Sequence, residues 1–355
     1  MKWQFAYAIV LGSTRSSMQK GMWNVFTSNS ILTGARAGKA LIFVFATAVL
    51  LLSAVTVSAQ NVEVEDPAPL LHKNIHYFQP PTDGSGLIGV WGSEPIGHLG
   101  FRVATYADYV QQPLEWTRVD DNNTYIVIYD STAVQGHFGF GLLGGISVSG
   151  AVDYTAARNL NDELAGFPAY LDIPDEAVMG DSRVAIKYSF RNRRFDCMGV
   201  AAMVEIGLPT GQVDSYVSDE VMSVAPRLIW DLGNTWWTVF LNVGAKIYTG
   251  DLTESTKADL ETGNELLWAA GATFRLFRFM SLFGDIESTT LLTNPYGVTE
   301  TNYAEAHTGL RFGAAVDNPV NIDVGAGFGA ADGIGTPVWR MYLGVGWTVR
   351  ALGLP

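Results

Sequence analysis

The fold is decided by residues 338–349, VWRMYLGVGWTV, close to the end of the chain. Large apolar side chains occupy every second position from Trp339 to Trp347, and Arg340, Tyr342 and glycines fall between them. Successive side chains of a β-strand point to opposite faces, whereas a helix would scatter both sets around its axis. The stretch therefore predicts a strand with one apolar face and one face of polar side chains and glycine.

The same alternation recurs toward the start of the chain, where residues 319–331 and 302–316 set apolar positions against glycine and charged residues. Short turns and longer links join these segments in alternation, as in outer-membrane proteins. The pattern predicts an all-β protein, an antiparallel transmembrane up-and-down β-barrel of about twelve strands preceded by a signal peptide. The predicted strands are about 98–110, 124–142, 145–156, 181–192, 196–209, 222–232, 236–249, 264–276, 279–291, 302–316, 319–331 and 337–349. The predicted longer links are 111–123, 157–180, 210–221, 250–263, 292–301 and 332–336.

Composition agrees with a protein whose outer wall contacts lipid. Charged residues make up 16% of the 355 residues, below the roughly 25% of an ordinary soluble domain. A net charge of -13 argues against a nucleic-acid partner, because phosphate binding needs clustered Lys and Arg. The lone Cys197 provides neither a disulfide framework nor a metal site. The chain contains no G-x-S-x-G or H-E-x-x-H motif, so we predict a protein that is not an enzyme and has no cofactor.

The start of the chain is typical of an export signal. Arg36 and Lys39 precede the apolar run 40–59, which ends in small residues suited to signal peptidase. A transmembrane helix is the alternative interpretation, since the run is nearly long enough to span a bilayer. The predicted organisation is a signal peptide with a long n-region, a periplasmic N-terminal segment partly tucked into the barrel mouth, the barrel, and a tail. These four parts cover residues 1–59, 60–97, 98–349 and 350–355 respectively.

Tryptophans on the apolar face predict where the barrel meets the two membrane interfaces. Trp339 and Trp347 are eight residues apart, which is roughly 20 Å along the membrane normal at ~3.3 Å per residue and ~40° tilt. Trp237 and Trp268 fall on the same face. We therefore expect a bacterial outer-membrane protein with both termini in the periplasm. A soluble secreted β-sandwich is the alternative, in which these outward residues would be buried against a second sheet.

The predicted partners follow from that location. They are outer-membrane lipids, lipopolysaccharide and, during biogenesis, the barrel assembly machinery, while the oligomeric state stays open. Acidic residues concentrate in the links 157–180 and 250–263, where they either bridge lipopolysaccharide phosphates through divalent cations or form ordinary solvated loops.

The opposite face of the predicted strands carries charges of both signs in nearly balanced numbers. One interpretation is a network of buried ion pairs that fills the lumen of a structural, surface-exposed barrel. The other is a narrow polar channel, so that the protein would be a passive pore or transporter for small solutes. The predicted lumen-facing residues are Arg102, Asp108, Arg183, Lys187, Glu205, Arg227, Asp231, Lys246, Glu265, Arg275, Asp285, Glu287, Glu305, His307, Arg311, Asp323 and Arg340.

Several short motifs resemble a known family. They are 78–86 (FQPPTDGSG), 180–188 (GDSRVAIKY), 208–211 (LPTG), 224–227 (VAPR) and 263–266 (GNEL). Together they resemble the N-terminal β-barrel domain of OmpA-family outer-membrane proteins, which thrombospondin type 3 repeats and an OmpA-like domain usually follow. Neither follows residue 349 in this sequence, so the resemblance implies location and architecture without wall anchoring. The chain is also similar to a family of outer-membrane barrels assigned to transport in phenol degradation.

Overall fold

The structure is a computed structural model of the chain. It describes residues 74–117, 124–160, 177–193, 196–212, 216–250, 263–297, 299–313 and 319–349, all within one compact unit. The predicted signal peptide, the predicted tail and most of both acidic links lie outside these residues. Among the described residues, no helix is long and apolar enough to cross a membrane.

Thirteen β-strands make up the described fold. They are β1 Phe101–Thr117, β2 Thr124–Gly141, β3 Ile146–Leu160, β4 Val178–Met179, β5 Ser182–Arg191, β6 Met198–Leu208, β7 Ser223–Gly233, β8 Trp237–Tyr248, β9 Glu265–Phe277, β10 Met280–Leu291, β11 Tyr303–Phe312, β12 Val320–Gly329 and β13 Trp339–Val349. Two single-turn 3-10 helices, Leu143–Gly145 and Thr299–Thr301, lie between strands.

The strands close into a barrel. Each long strand pairs antiparallel with its neighbours along the chain, and β13 pairs with β1 from Phe101↔Val349 to Gln111↔Trp339. The two-residue β4 pairs only with β3, which itself pairs with β5, so twelve long strands form the closed wall. The predicted all-β, twelve-stranded antiparallel barrel is therefore confirmed.

Side-chain exposure along the strands follows the period of two. In β13, Met341, Leu343 and Val345 are exposed, while Arg340 and Tyr342 are 1% and 3% exposed. An exposed apolar band of this kind around a whole barrel would be costly in water but suits hydrocarbon. The outward face is thus the lipid face and the inward face is the lumen.

The strands nearest the chain start are longer than the sequence predicts. The sequence predicts that the first strand ends at residue 110, but β1 continues to Thr117. It predicts that the third strand ends at residue 156, but β3 continues to Leu160. Register shifts after Gln111 mark an irregularity near Pro113, where the apolar alternation stops. Main-chain pairing with β2 continues past it, because ladder hydrogen bonds need no alternation of side chains.

Residues 74–97, hereafter the lumen segment, lie inside the barrel without forming a strand. Phe78 and Val90 are fully buried and Trp91 is 2% exposed. The sequence predicts a periplasmic segment only partly tucked into the mouth, whereas the described part of it occupies the lumen. The segment turns sharply at Gly86, whose φ of +85° and whose closeness to the Val90 carbonyl leave no room for a Cβ.

The apolar core of the molecule is built between the lumen segment and the wall. One cluster joins Phe78, Ile88 and Val90 to inward residues such as Tyr106 and Phe283. A second cluster packs Trp91 against apolar inward residues of β5, β6 and β7, namely Ala185, Ala201, Met203 and Ile229. The barrel therefore buries its apolar inward residues against its own chain.

Candidate functional site

The charged residues predicted to face the lumen all take inward-facing positions. Those that are buried are Arg102, Asp108, Arg183, Lys187, Glu205, Asp231, Glu265, Asp285, Glu305, His307, Asp323 and Arg340. Those that stay partly exposed are Arg227, Lys246, Arg275, Glu287 and Arg311. These charges of both signs come from every long strand except β2 and β3.

The four predicted girdle tryptophans lie on the outward face, where Trp237 and Trp347 are 36% and 44% exposed. Near one end of β13, Trp347 packs edge-on against Phe101, with ring centroids 5.3 Å apart. Near the other end, Trp339 lies against Tyr109 at 5.4 Å. Aromatic pairs at both ends of one strand agree with two membrane interfaces.

A chain of buried ion pairs crosses one side of the lumen. Arg340 makes a bidentate contact with Glu305, with Nε–Oε1 and Nη2–Oε2 distances of 2.9 and 3.2 Å, and it also contacts Asp108. His307 lies between two carboxylates, 3.2 Å from Glu305 and 2.9 Å from Asp285. The chain links strands β1, β10, β11 and β13, so part of the predicted network forms as one connected unit.

Inward side chains hold the main-chain N–H groups of the lumen segment. The Asp285 carboxylate accepts from the N–H groups of Ile88 and Gly89 at 3.2 and 3.1 Å. Asn242 accepts from the N–H of Trp91 at 2.7 Å and donates to its carbonyl at 2.9 Å. These contacts depend on the path of the main chain and hardly on the identity of the side chains.

Cationic side chains bind carbonyls of the same segment. Lys187 donates to the carbonyls of Gly92 and Glu94 at 2.8 and 2.7 Å and forms an ion pair with Asp83. Arg311 donates to the Gly86 carbonyl at 2.7 Å. Hydrogen bonds that involve a charged group contribute about 1.5–3 kcal/mol each, so the lumen charges hold the segment firmly in addition to pairing with one another.

The lumen segment crosses the barrel from end to end. Its first described residue, Asn74, lies at the long-link end, where its N–H donates to Asp219 at 3.1 Å. Just after its last residue, the N–H of Leu99 donates to the Gly141 carbonyl at the short-turn end. The C-terminal end of β13 also lies at that short-turn end, through the Phe101↔Val349 pair. The periplasmic position of both termini stays a prediction, since residues 1–73 and 350–355 lie outside the described residues.

The link between β6 and β7 partly covers the long-link end. The carboxylate of Asp181 accepts from Ser218 Oγ at 2.7 Å and from the N–H groups of Asp219 and Gly211 at 2.8 and 3.0 Å. Burial raises the pKa of Asp181, and these three hydrogen bonds act in the opposite direction. The link is thus tied to the entry of β5 and to the start of the lumen segment.

A polar cavity of about 70 Å³ remains between the lumen segment and strands β5 to β11. The segment contributes His76, Tyr77 and Gly89 to its lining, and the wall contributes charged side chains of both signs beside hydroxyl, glycine and apolar residues. One water needs about 10–15 Å³ of cavity volume, so the cavity has room for roughly five waters or a small solute. Among the described residues, no group of His, Cys, Asp or Glu is arranged to hold a metal ion.

Sequence reasoning missed the uncharged polar residues that hold the lumen segment. Asn242 and Gln135 are inward and buried, and Gln135 donates to the Phe78 carbonyl. Ser149 Oγ lies 2.6 Å from Thr82 Oγ. An Asn or Gln at an inward strand position could have indicated such a contact, because a buried amide needs a hydrogen-bond partner.

No family model and no curated protein matches the chain. Among solved structures, it is similar to the COG4313 outer membrane channel from Pseudomonas putida F1, with 11% identity, 72% of this chain and 98% of that chain covered, and a TM-score of 0.55. Looser matches include the NanC porin, with 10% identity, coverage of 70% and 100%, and a TM-score of 0.44. The Ralstonia pickettii toluene transporter TbuX matches with 11% identity, coverage of 78% and 99%, and a TM-score of 0.37. At such low identity the first match shows the fold alone, and the fold is that of an outer-membrane β-barrel.

Proposed function

We propose that this protein is an outer-membrane channel for small solutes, closed in the described state by its lumen segment. The observation that carries the proposal is what fills the barrel. Eight-stranded barrels are filled by their own side chains, and wider ones enclose a cavity, a channel or a plug. Here the lumen holds a separate stretch of chain, bound by hydrogen bonds and ion pairs that can dissociate. The first structural match is an outer membrane channel, which also supports a channel function.

A structural, surface-exposed barrel is the second candidate function. The connected ion pairs around Arg340 favour it, because they brace the wall and occupy space on one side of the lumen. The polar cavity lies beside them and is lined by strands β5 to β11. A channel therefore accounts for the lumen segment and the cavity together, whereas a structural role accounts for the ion pairs alone.

A disulfide lock tests whether the lumen segment gates the barrel. Thr82 and Ser149 are suitable positions, since their hydroxyl oxygens are 2.6 Å apart and both residues are buried. The variant Thr82→Cys/Ser149→Cys is made with Cys197→Ser, because Cys197 is exposed and free. Conductance is recorded in planar bilayers in the oxidised state and again after reduction. We expect openings to be absent when oxidised and to return after reduction.

The matched control is Thr82→Cys with Cys197→Ser, which cannot form the lock and should conduct equally in both states. If the oxidised double variant conducts as the control does, the lumen segment is not the gate. If no form conducts, including the reduced one and the wild type, the channel function is wrong and the structural barrel stands.

The proposal carries the expected partners with it. Outer-membrane lipids would contact the outward face, lipopolysaccharide would meet the long links, and the barrel assembly machinery would insert the chain. No enzymatic step is part of the proposal. Membership of the OmpA-family barrels remains a prediction from the short motifs.

A further inference from the structure

The polar cavity beside the lumen segment has uneven charge. Its cations already have carboxylate partners within the wall or the β6–β7 link. Lys246 Nζ lies 2.5 Å from Asp219, and Arg183 and Arg227 lie 3.5 and 3.3 Å from Glu205. The positive side of the cavity is therefore largely neutralised before any solute enters.

Glu287 has neither the cationic partner of Glu205 and Asp219 nor the main-chain N–H donors of Asp181. It lies on β10, is partly buried, and lines the cavity. Its one polar contact among the described residues is the hydroxyl of Tyr303 at 3.5 Å. His307 lies between Asp285 and Glu305, Arg227 lies 3.3 Å from Glu205, and Arg340 contacts Glu305 and Asp108.

The carboxyl of Glu287 is also held close to the lumen segment. A Cβ at Gly89 would come within 2.9 Å of Glu287 Cδ, so a glycine is what fits there. A carboxylate withdrawn from water without a cationic partner is costly. The geometry leaves it facing the cavity, where a cation from outside would supply the missing partner.

Two further features of the cavity suit an organic cation. Tyr77 of the lumen segment stacks on Tyr303, with centroids 4.1 Å apart and planes 16° apart, and both line the cavity. Tyrosine faces attract cations, and an ammonium group adds N–H donors for carboxylate and hydroxyl oxygens. Arg183 Nε and Glu205 Oε2 are buried polar atoms of the lining without a hydrogen-bond partner in the described structure, so the cavity can take further polar groups.

We propose that this cavity binds the ammonium group of a small organic amine, with Glu287 as its ion-pair partner and the Tyr77–Tyr303 stack beside it. The inference rests on the proposed channel function in one respect: if the barrel is a channel, the bound amine is a solute in transit. Binding itself is measurable without conduction. The cavity volume limits the ligand to a few heavy atoms.

The test is calorimetric titration of the full chain in detergent with n-butylammonium. The neutral isostere butan-1-ol and the anion butyrate are titrated in parallel. We expect butylammonium to bind and the other two not to bind. Equal binding of butan-1-ol would overturn the proposal, because it would show an apolar site. This comparison needs no variant, so it does not depend on a mutant folding.

Glu287→Gln removes the charge and keeps the shape. We expect its affinity for butylammonium to fall at least about tenfold, or ~1.4 kcal/mol. The matched control is Asp196→Asn, the same change of charge at an exposed turn residue that pairs with Arg191 outside the lumen. Unchanged affinity in Glu287→Gln, or an equal loss in both variants, would overturn the assignment. Butylammonium binding in a barrel that never conducts would leave the site standing and sink the channel, and conduction without binding would do the reverse.

Discussion

The outward face of β13 and the lumen segment differ most in how regular their sequence pattern is. Large apolar residues recur at a strict period of two from Trp339 to Trp347 and face lipid. The lumen segment has no period, contains prolines and glycines, and nevertheless includes some of the most buried residues, such as Phe78 and Trp91.

The comparison teaches that burial here arises in two ways. The wall forms because its main-chain groups pair with neighbouring strands, which leaves the side chains to satisfy lipid on one side and the lumen on the other. The lumen segment has no ladder, so its main-chain groups need wall side chains such as Asp285 and Asn242 as partners.

The inner face of β13 offers the largest expected effect. Arg340→Ala would leave Glu305 and Asp108 buried without their shared cation, which costs about 3–5 kcal/mol. Unfolding by urea in lipid vesicles measures it. A triple variant with Arg340→Met, Glu305→Gln and Asp108→Asn should recover much of the loss, since it leaves no unpaired charge. Wild-type stability in Arg340→Ala would contradict the network.

The outer face of the same strand is tested by Leu343→Arg. If this face lies in hydrocarbon, a charge near mid-membrane costs about 2–4 kcal/mol, measured by unfolding in the same vesicles. Leu343→Val is the control and should lose far less. A soluble β-sandwich would instead show comparable destabilisation in the absence of lipid and remain in solution without detergent.

The joint between wall and lumen segment is tested by Asn242→Ala. Both main-chain groups of Trp91 would lose their partner, at about 1–3 kcal/mol for each unsatisfied group. We expect faster hydrogen exchange in residues 74–97 while the strand amides stay protected. Equal deprotection of strands and segment would contradict the separation of the two regions.

The smallest expected effect concerns the outward aromatic pair. Trp347→Leu keeps an apolar residue on the lipid face but removes the edge-on contact with Phe101, worth about 0.5–1.5 kcal/mol beyond burial. Unfolding in vesicles measures it, with Phe101→Leu and the double variant completing a cycle. Strict additivity of the two losses would show that the pair contributes nothing of its own.

Most of the wall could be predicted because one pattern repeats in every strand. The inward placement of Asp323 and Arg340 follows from alternation alone. The extension of β1 to Thr117 could not be predicted, because pairing there passes an irregularity at Gln111 that breaks the side-chain pattern.

Only part of the candidate site could be predicted from the sequence. The sequence identifies Lys187 and Asp285 as lumen charges, but it cannot say that Lys187 binds the carbonyls of Gly92 and Glu94. Those contacts join residues about a hundred positions apart, and main-chain groups carry no residue-specific signal. The sequence likewise cannot say that Glu287 lacks a cationic partner. That depends on His307 and Arg340 contacting other carboxylates in the folded barrel.

The sequence by itself determined the wall: a strand period of two, an apolar outward face and a charged inward face, hence a barrel in an outer membrane. Side-chain alternation is local and survives in any closed barrel, which is why residues 338–349 were enough to start from. Only the tertiary structure decided what occupies the lumen. A segment without period is held by main-chain hydrogen bonds to distant strands, and the cavity beside Glu287 exists only once that segment is in place.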